Sequence, residues 1–254
     1  HRKRGRKPPR LRKRIMWAIE FTVCVGIVGF FAYRFYVYTQ ESEQFRVNQI
    51  QIDGLRVLTE EEVVQQSGLL TMKNVLYLDV DAICASVEAL PFVRRCSLRQ
   101  IFPDTVVLEI VERIGIVTLQ LNSRSYLIDE EGVVLLEYED LEIPLMPFIT
   151  NVGELDFVTV GQHLDSKPLQ TALEVWDHFS VLPLSIEVTV SEIAAFSENE
   201  AVMYCDELPY EIRWSSEGVE EQAQRWNVLW DSERGSLKCI EYLDLRFGND
   251  LVCK

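Results

Sequence analysis

The chain has 254 residues, 48% of them hydrophobic and 26% charged, with a net charge of −15. That balance excludes a disordered chain and leaves, beyond a tail and an anchor, material for two small domains or one larger one. Residues 1–14 hold nine Lys/Arg and no acid, whereas residues 41–254 hold 15 Lys/Arg and 39 Asp/Glu, so phosphate repulsion excludes nucleic-acid binding outside the first 14 residues.

His1 stands where an initiator Met would, so the natural start is expected upstream. The run from Ile15 to Tyr33 carries one charge, Glu20, and keeps its apolar-aromatic character across Arg34 to Tyr38. About 20 such residues span a bilayer as a helix. Trp17 at one end and Tyr33, Tyr36 and Tyr38 at the other fit the two interfaces, and the basic tail places the N-terminus in the cytoplasm. No small-x-small cleavage site follows, so residues 15–38 read as an uncleaved anchor rather than a signal peptide. The expectation is a single-pass protein of the cell inner (cytoplasmic) membrane with an extracytoplasmic body.

Residues 39–44 read as a polar linker. Phe45–Ile52 alternates as a half-buried strand does, and Asp53-Gly54 ends it. Thr59 with Glu62 forms a capping box for a helix to about Gln66, stopped by Gly68. Asp79 or Asp81 caps a second helix carrying Ile83, Val87 and Leu90, which Pro91 ends. Strands Phe92–Phe102 and Thr105–Glu112 follow around the turn residues Pro103-Asp104. The order strand, helix, helix, strand, strand makes a small sheet with both helices on one face.

Beyond Ile114 the spacing predicts short strands at Ile116–Leu121, Tyr126–Asp129, Val133–Leu136 and Leu145–Thr150, with Glu130-Glu131-Gly132 as a hairpin turn. Ser166-Lys167-Pro168 opens a helix with Leu169, Leu173, Trp176 and Phe179 on one side. Strands are expected at Ile186–Val190, Ile193–Phe196, Val202–Cys205 and Tyr210–Trp214. Ser215 or Ser216 caps a last helix that Gly235 closes, and a terminal strand runs over Leu237–Phe247. The expected fold class is α+β, with a mostly antiparallel β-domain and added helices at the end.

Six cysteines occur, Cys24 in the apolar run and Cys84, Cys96, Cys205, Cys239 and Cys253 beyond it. They lack CxxC spacing and nearby His, so no zinc site is expected, and small buried hydrophobes is the simplest reading. Five is odd, so one thiol beyond the anchor stays unpaired even in an oxidising compartment. His163 and His178 sit near no nucleophile, G-x-S-x-G is absent, and there is no phosphate-cradling loop. The many carboxylates follow no calcium-loop spacing and read as solvated faces. No catalytic residue, metal or cofactor is expected.

Several pieces in order carry a resemblance. They are the basic tail with its anchor, Phe45–Gly54, Leu58–Val63, Asn74–Asp79, Leu90–Val93, Arg99–Thr105 with Val111–Arg113, Tyr126–Asp129 with Gly132, and Asp244–Phe247. Together they resemble the bacterial cell-division FtsQ/DivIB family over nearly the whole chain. The resemblance implies a POTRA domain at 45–113 that serves recruitment and a β-domain at 114–254. It also implies a place in the divisome at the division septum, with FtsB/DivIC-like and FtsL-like proteins as partners. The last strand is then the place where a partner segment adds as a further strand. The residues this assigns are Tyr242, Leu243, Asp244, Leu245, Arg246, Phe247 and Gly248. An exposed strand edge invites such pairing, and Tyr, Arg and Phe suit interface centres. The plainer reading makes Leu243, Leu245 and Phe247 core residues and Asp244–Arg246 a surface pair. Two rival functions are a POTRA-bearing envelope transport or secretion component and a membrane-tethered envelope hydrolase.

Overall fold

A computed structural model describes residues 10–71, 74–138, 146–153, 155–233, 238–248 and 250–254. The first nine residues of the basic tail, Leu145, Gly235 and Leu237, which the sequence reading assigned, lie outside the described residues.

Helix α1 (Arg10–Glu41) carries a stretch, Ile15–Gln40, long and apolar enough to cross a membrane, whose most apolar part is left unburied by the rest of the chain. The polar residues expected as a linker extend the helix to Glu41 instead. Its end is held from below. Asn74 Nδ2 donates to the Thr39 carbonyl at 2.5 Å, Thr39 Oγ1 meets the Tyr77 hydroxyl at 2.8 Å, and the Tyr36 and Tyr77 rings meet edge-on at 5.6 Å. Thr39 is thereby buried.

A three-stranded sheet follows, with β1 (Gln49–Asp53) parallel to β3 (Thr105–Glu112), and β3 antiparallel to β2 (Val93–Ile101). Helices α2 (Glu60–Ser67) and α3 (Val80–Glu88) cover one face. Val63, Ile83 and Val87 pack there against Cys96, Val106, Leu108 and Ile110. Both helices begin as expected. Thr59 and Glu62 close a full capping box, Asp79 accepts from the Ala82 amide, and Gly68 ends α2 in the left-handed region. A bulge between Val93 and Arg95 lets Val93 and Cys96, three apart, both face the core. Gly54 turns the chain at φ +96°, where a Cβ would stand 2.0 Å from the Ile110 carbonyl oxygen. Cys84 and Cys96 are neighbours but unbonded, and burial, followed by Cys84, pushes the Cys96 thiol up to about 12.

The second sheet has nine strands. They are β4 (Gly115–Leu121), β5 (Arg124–Asp129), β6 (Val134–Tyr138), β7 (Phe148–Thr150), β8 (Val190–Ala194), β9 (Glu200–Cys205), β10 (Glu211–Ser215), β11 (Tyr242–Asp244) and β12 (Val252–Cys253). Their order is β12-β11-β10-β9-β8-β7-β4-β5-β6. Neighbours are antiparallel except β4–β7, β7–β8 and β10–β11. Helices α4 (Lys167–Ser180) and α5 (Val219–Ser232) pack over the sheet, with Phe179 stacked on Trp226 at 5.2 Å and Trp214 edge-on to Trp226 at 5.9 Å.

Three expectations are corrected here. The strand expected at Ile186–Val190 is absent. Pro183 opens a 3-10 turn through Ile186, which is 89% exposed, and a single strand, β8, replaces the two expected over 186–196. Neither Ser215 nor Ser216 caps α5. Gly218 occupies that position, and Gln222 reaches back to bond the Ser215 amide and carbonyl and the Glu217 carbonyl. The terminal strand shrinks from Leu237–Phe247 to Tyr242–Asp244. Asp244 Oδ1 accepts from the Arg246 amide and the Gly248 amide bonds the Arg246 carbonyl, so the chain turns away from the sheet.

Candidate functional site

The seven residues assigned from sequence lie at one end of the large sheet but divide by environment. Leu243 and Leu245 are fully buried core residues, as the plainer reading held. Phe247, which that reading also placed in the core, is 54% exposed. Tyr242 and Arg246 are half-buried, Asp244 is buried and Gly248 is exposed.

The parallel pairing with β10 sets Glu211 opposite Tyr242, Ile212 opposite Leu243 and Arg213 opposite Asp244. The Arg213 guanidinium lies over the Tyr242 ring, 4.0 Å from its centre, while its Nε donates to Glu211 at 2.7 Å. Arg246 clamps Asp244 with two side-chain bonds, Nε at 2.9 Å and a terminal nitrogen at 2.7 Å, and its other terminal nitrogen reaches Glu200. Burial pushes the Asp244 carboxyl up, but the Arg246 side-chain and backbone bonds outweigh it and hold the group below its ordinary value. The same carboxylate raises Arg246 above its ordinary range. A shallow groove runs beside these groups, lined by Glu200, Tyr204, Glu211, Arg213 and Arg246.

Sequence reasoning missed the outermost strand. In β12, Val252 stands opposite Asp244 and Cys253 opposite Leu243. A disulfide joins Cys239 to Cys253, and Lys254 pairs with Glu241 at 2.7 Å. The expected outer strand is therefore inner by one place. The signal was faint: two cysteines flanking the strand, hidden among five. Ile240, Phe247 and Val252 leave apolar surface exposed around this edge, at 82%, 54% and 38%. At the opposite edge the start of β6 is covered, since Val134 bonds Gly161 and Gln162 and Val133, just before it, bridges to His163.

Nothing in this arrangement brings a nucleophile to a base. Among the described residues no group of three His, Cys, Asp or Glu side chains is placed to hold a metal ion. What the edge offers is an Arg–Asp clamp and exposed apolar side chains, the chemistry of a protein contact.

Two family models match the chain: "POTRA domain, FtsQ-type" over residues 45–113 and "Cell division protein FtsQ/DivIB, C-terminal" over residues 117–246. A cell division protein FtsQ from Geobacter sp. (strain M21) is 22% identical, covering 99% of this chain and 94% of its own. One from Anaeromyxobacter sp. (strain K) is 25% identical, with 98% and 84% covered. The solved extracytoplasmic domain of DivIB from Geobacillus stearothermophilus aligns at 15% identity with a TM-score of 0.31, covering 50% of this chain and 98% of that one.

Proposed function

The chain belongs to the FtsQ/DivIB family of cell-division proteins, and from that premise we propose that it is a non-catalytic scaffold that joins partner proteins at its C-terminal sheet edge. The partners are FtsB/DivIC-like and FtsL-like division proteins, held by addition of an extended partner segment next to Tyr242–Gly248. The POTRA domain recruits the scaffold to the division septum. The protein sits in the cell inner membrane with the basic tail in the cytoplasm and the acidic body outside.

The observation that carries this reading is the exposed apolar surface of Ile240, Phe247 and Val252, gathered at one strand edge around an Arg–Asp clamp. Phe247 is the residue to change. It is exposed, whereas Tyr242 packs under Arg213, so its replacement would also disturb the fold. Phe247→Glu should reduce capture of the FtsB/FtsL-type partner at least tenfold in a pull-down, with an unchanged circular dichroism spectrum. Undiminished capture would remove the edge from consideration. A fluorescent fusion should gather at mid-cell, and a uniform envelope signal would instead favour a transport role.

A further inference from the structure

Strand addition needs free backbone groups, and on this edge there are none. The residues of β11 alternate. The Glu241 carbonyl and the Leu245 amide bond β10, at Glu211 and Arg213, so Tyr242, Asp244 and Arg246 point their backbone outward. Each outward residue is already engaged. The Lys254 amide donates to the Tyr242 carbonyl at 3.1 Å, and the Lys254 carbonyl accepts from Ile240, Glu241 and Tyr242 at 2.7, 2.6 and 3.4 Å. Val252 occupies the place opposite Asp244. The Arg246 amide is bonded by Asp244 Oδ1, and its carbonyl by the Gly248 amide.

The strand doing this covering has little else to hold it. β12 is two residues long and exposed throughout, and only Leu251 beside it packs against the core. Burial of so short a strand contributes little. Its own outer side is too short to template a partner. The covalent link from Cys239 to Cys253 is therefore the main restraint, helped by the exposed Lys254–Glu241 pair.

We propose that β12 is a removable clasp: it occupies the place on β11 that a partner strand takes, and the Cys239–Cys253 disulfide decides whether that place opens. This rests on the strand-addition reading above. The partner class is an extended protein segment that replaces β12 beside Tyr242 and Asp244. Opening is a thiol–disulfide exchange with an external dithiol. Its thiolate attacks the Cys253 sulfur, on an exposed residue, rather than that of buried Cys239. A mixed disulfide forms and Cys239 leaves as a thiolate that takes up a proton. The second thiol of the reductant then displaces Cys253. Two electrons and two protons pass from the dithiol, which ends as a disulfide, to the two cysteines.

The test uses the full chain in lipid nanodiscs, oxidised, reduced with dithiothreitol, and as the Cys239→Ser/Cys253→Ser double variant. Amide hydrogen exchange at Tyr242 and Lys254 should accelerate at least tenfold on reduction and in the variant. The Leu245 amide, which faces β10, should keep its rate and show that β11 stays in place. Equal exchange at Tyr242 in all three forms would overturn the clasp. Capture of the same FtsB/FtsL-type partner should rise at least fivefold in the opened forms, and equal capture by open and closed forms would also overturn it. If no form captures the partner, the strand-addition reading fails while the exchange result still judges the clasp's release.

Discussion

At Asp244 a single carboxylate holds the turn that ends the pairing of β11. It is buried, accepts from the Arg246 amide at 3.1 Å, and is clamped by the Arg246 side chain. Its proton affinity is lowered in the fold from an ordinary value of 3.8. A carboxylate of that kind contributes stability that is complete above the unfolded value and fades as pH falls through the lower folded value. Replacing Arg246 by Ala leaves the charge buried without its cation, which at neutral pH should destabilise the β-domain by about 3 kcal/mol. The sign with pH follows. The gap between wild type and Arg246→Ala should be widest at neutral pH and narrow on acidification from above the ordinary carboxylate value, since burial without Arg246 raises Asp244 and the variant takes up its proton first. Urea unfolding across pH 3–7 measures it, and a gap that widens on acidification would contradict the assignment.

The elements show where local chemistry suffices and where it does not. Helix α5 begins without a serine cap, and Gln222, 2% exposed, instead ties the preceding 215–217 turn to the helix through three bonds to Ser215 and Glu217. Gln222→Ala should therefore destabilise by about 2 kcal/mol, since it strips the Ser215 amide and two carbonyls at once. Ser216→Ala should change little, and thermal unfolding of the two variants side by side decides. A loop tied down by a residue inside the following helix is invisible to a rule that looks for a cap just before it. The small domain was legible because its signals are local: Thr59 with Glu62, Asp79, Gly68, and β2 and β3 at their expected places, although the first strand starts at Gln49 rather than Phe45, which lies in a 3-10 turn. The large sheet was legible strand by strand but not in its pairing. The parallel contacts of β7 with β4 and β8 join segments far apart in sequence, and no local pattern encodes them. For the site, the stretch around residues 242–248 was visible, but its cover was not. A two-residue strand has no periodicity, and the disulfide that holds it closes a loop across a sequence separation of 14. By chain entropy such a closure contributes roughly 3 kcal/mol.

Across the whole molecule, two joints carry position from α1 to the C-terminal sheet edge. The first is the seat of α1 on Asn74 and Tyr77, which gives the Asn74–Asp79 segment a physical task. The second lies between the two sheets, where Phe92 packs beside Leu127, Val133 and Leu135. Next to it Arg113, 16% exposed, bonds Asp129 at 2.7 Å and also Glu131, while the more exposed Arg94 reaches Glu130 and Glu131. Asp129 is the centre of this joint. Its carboxylate, 3% exposed, also accepts from the Glu131 and Val133 amides and so shapes the turn between β5 and β6. Removing Arg113 therefore strands a buried charge and unseats that turn, a loss of about 3 kcal/mol. Removing Arg94 takes away an exposed pair worth less than about 1 kcal/mol. If the joint couples the domains, calorimetry of the full chain in detergent should show one transition for wild type and for Arg94→Ala, and two separated transitions for Arg113→Ala. Equal behaviour of the two arginine variants would mean that Phe92 and its apolar neighbours hold the joint without the buried ion pair.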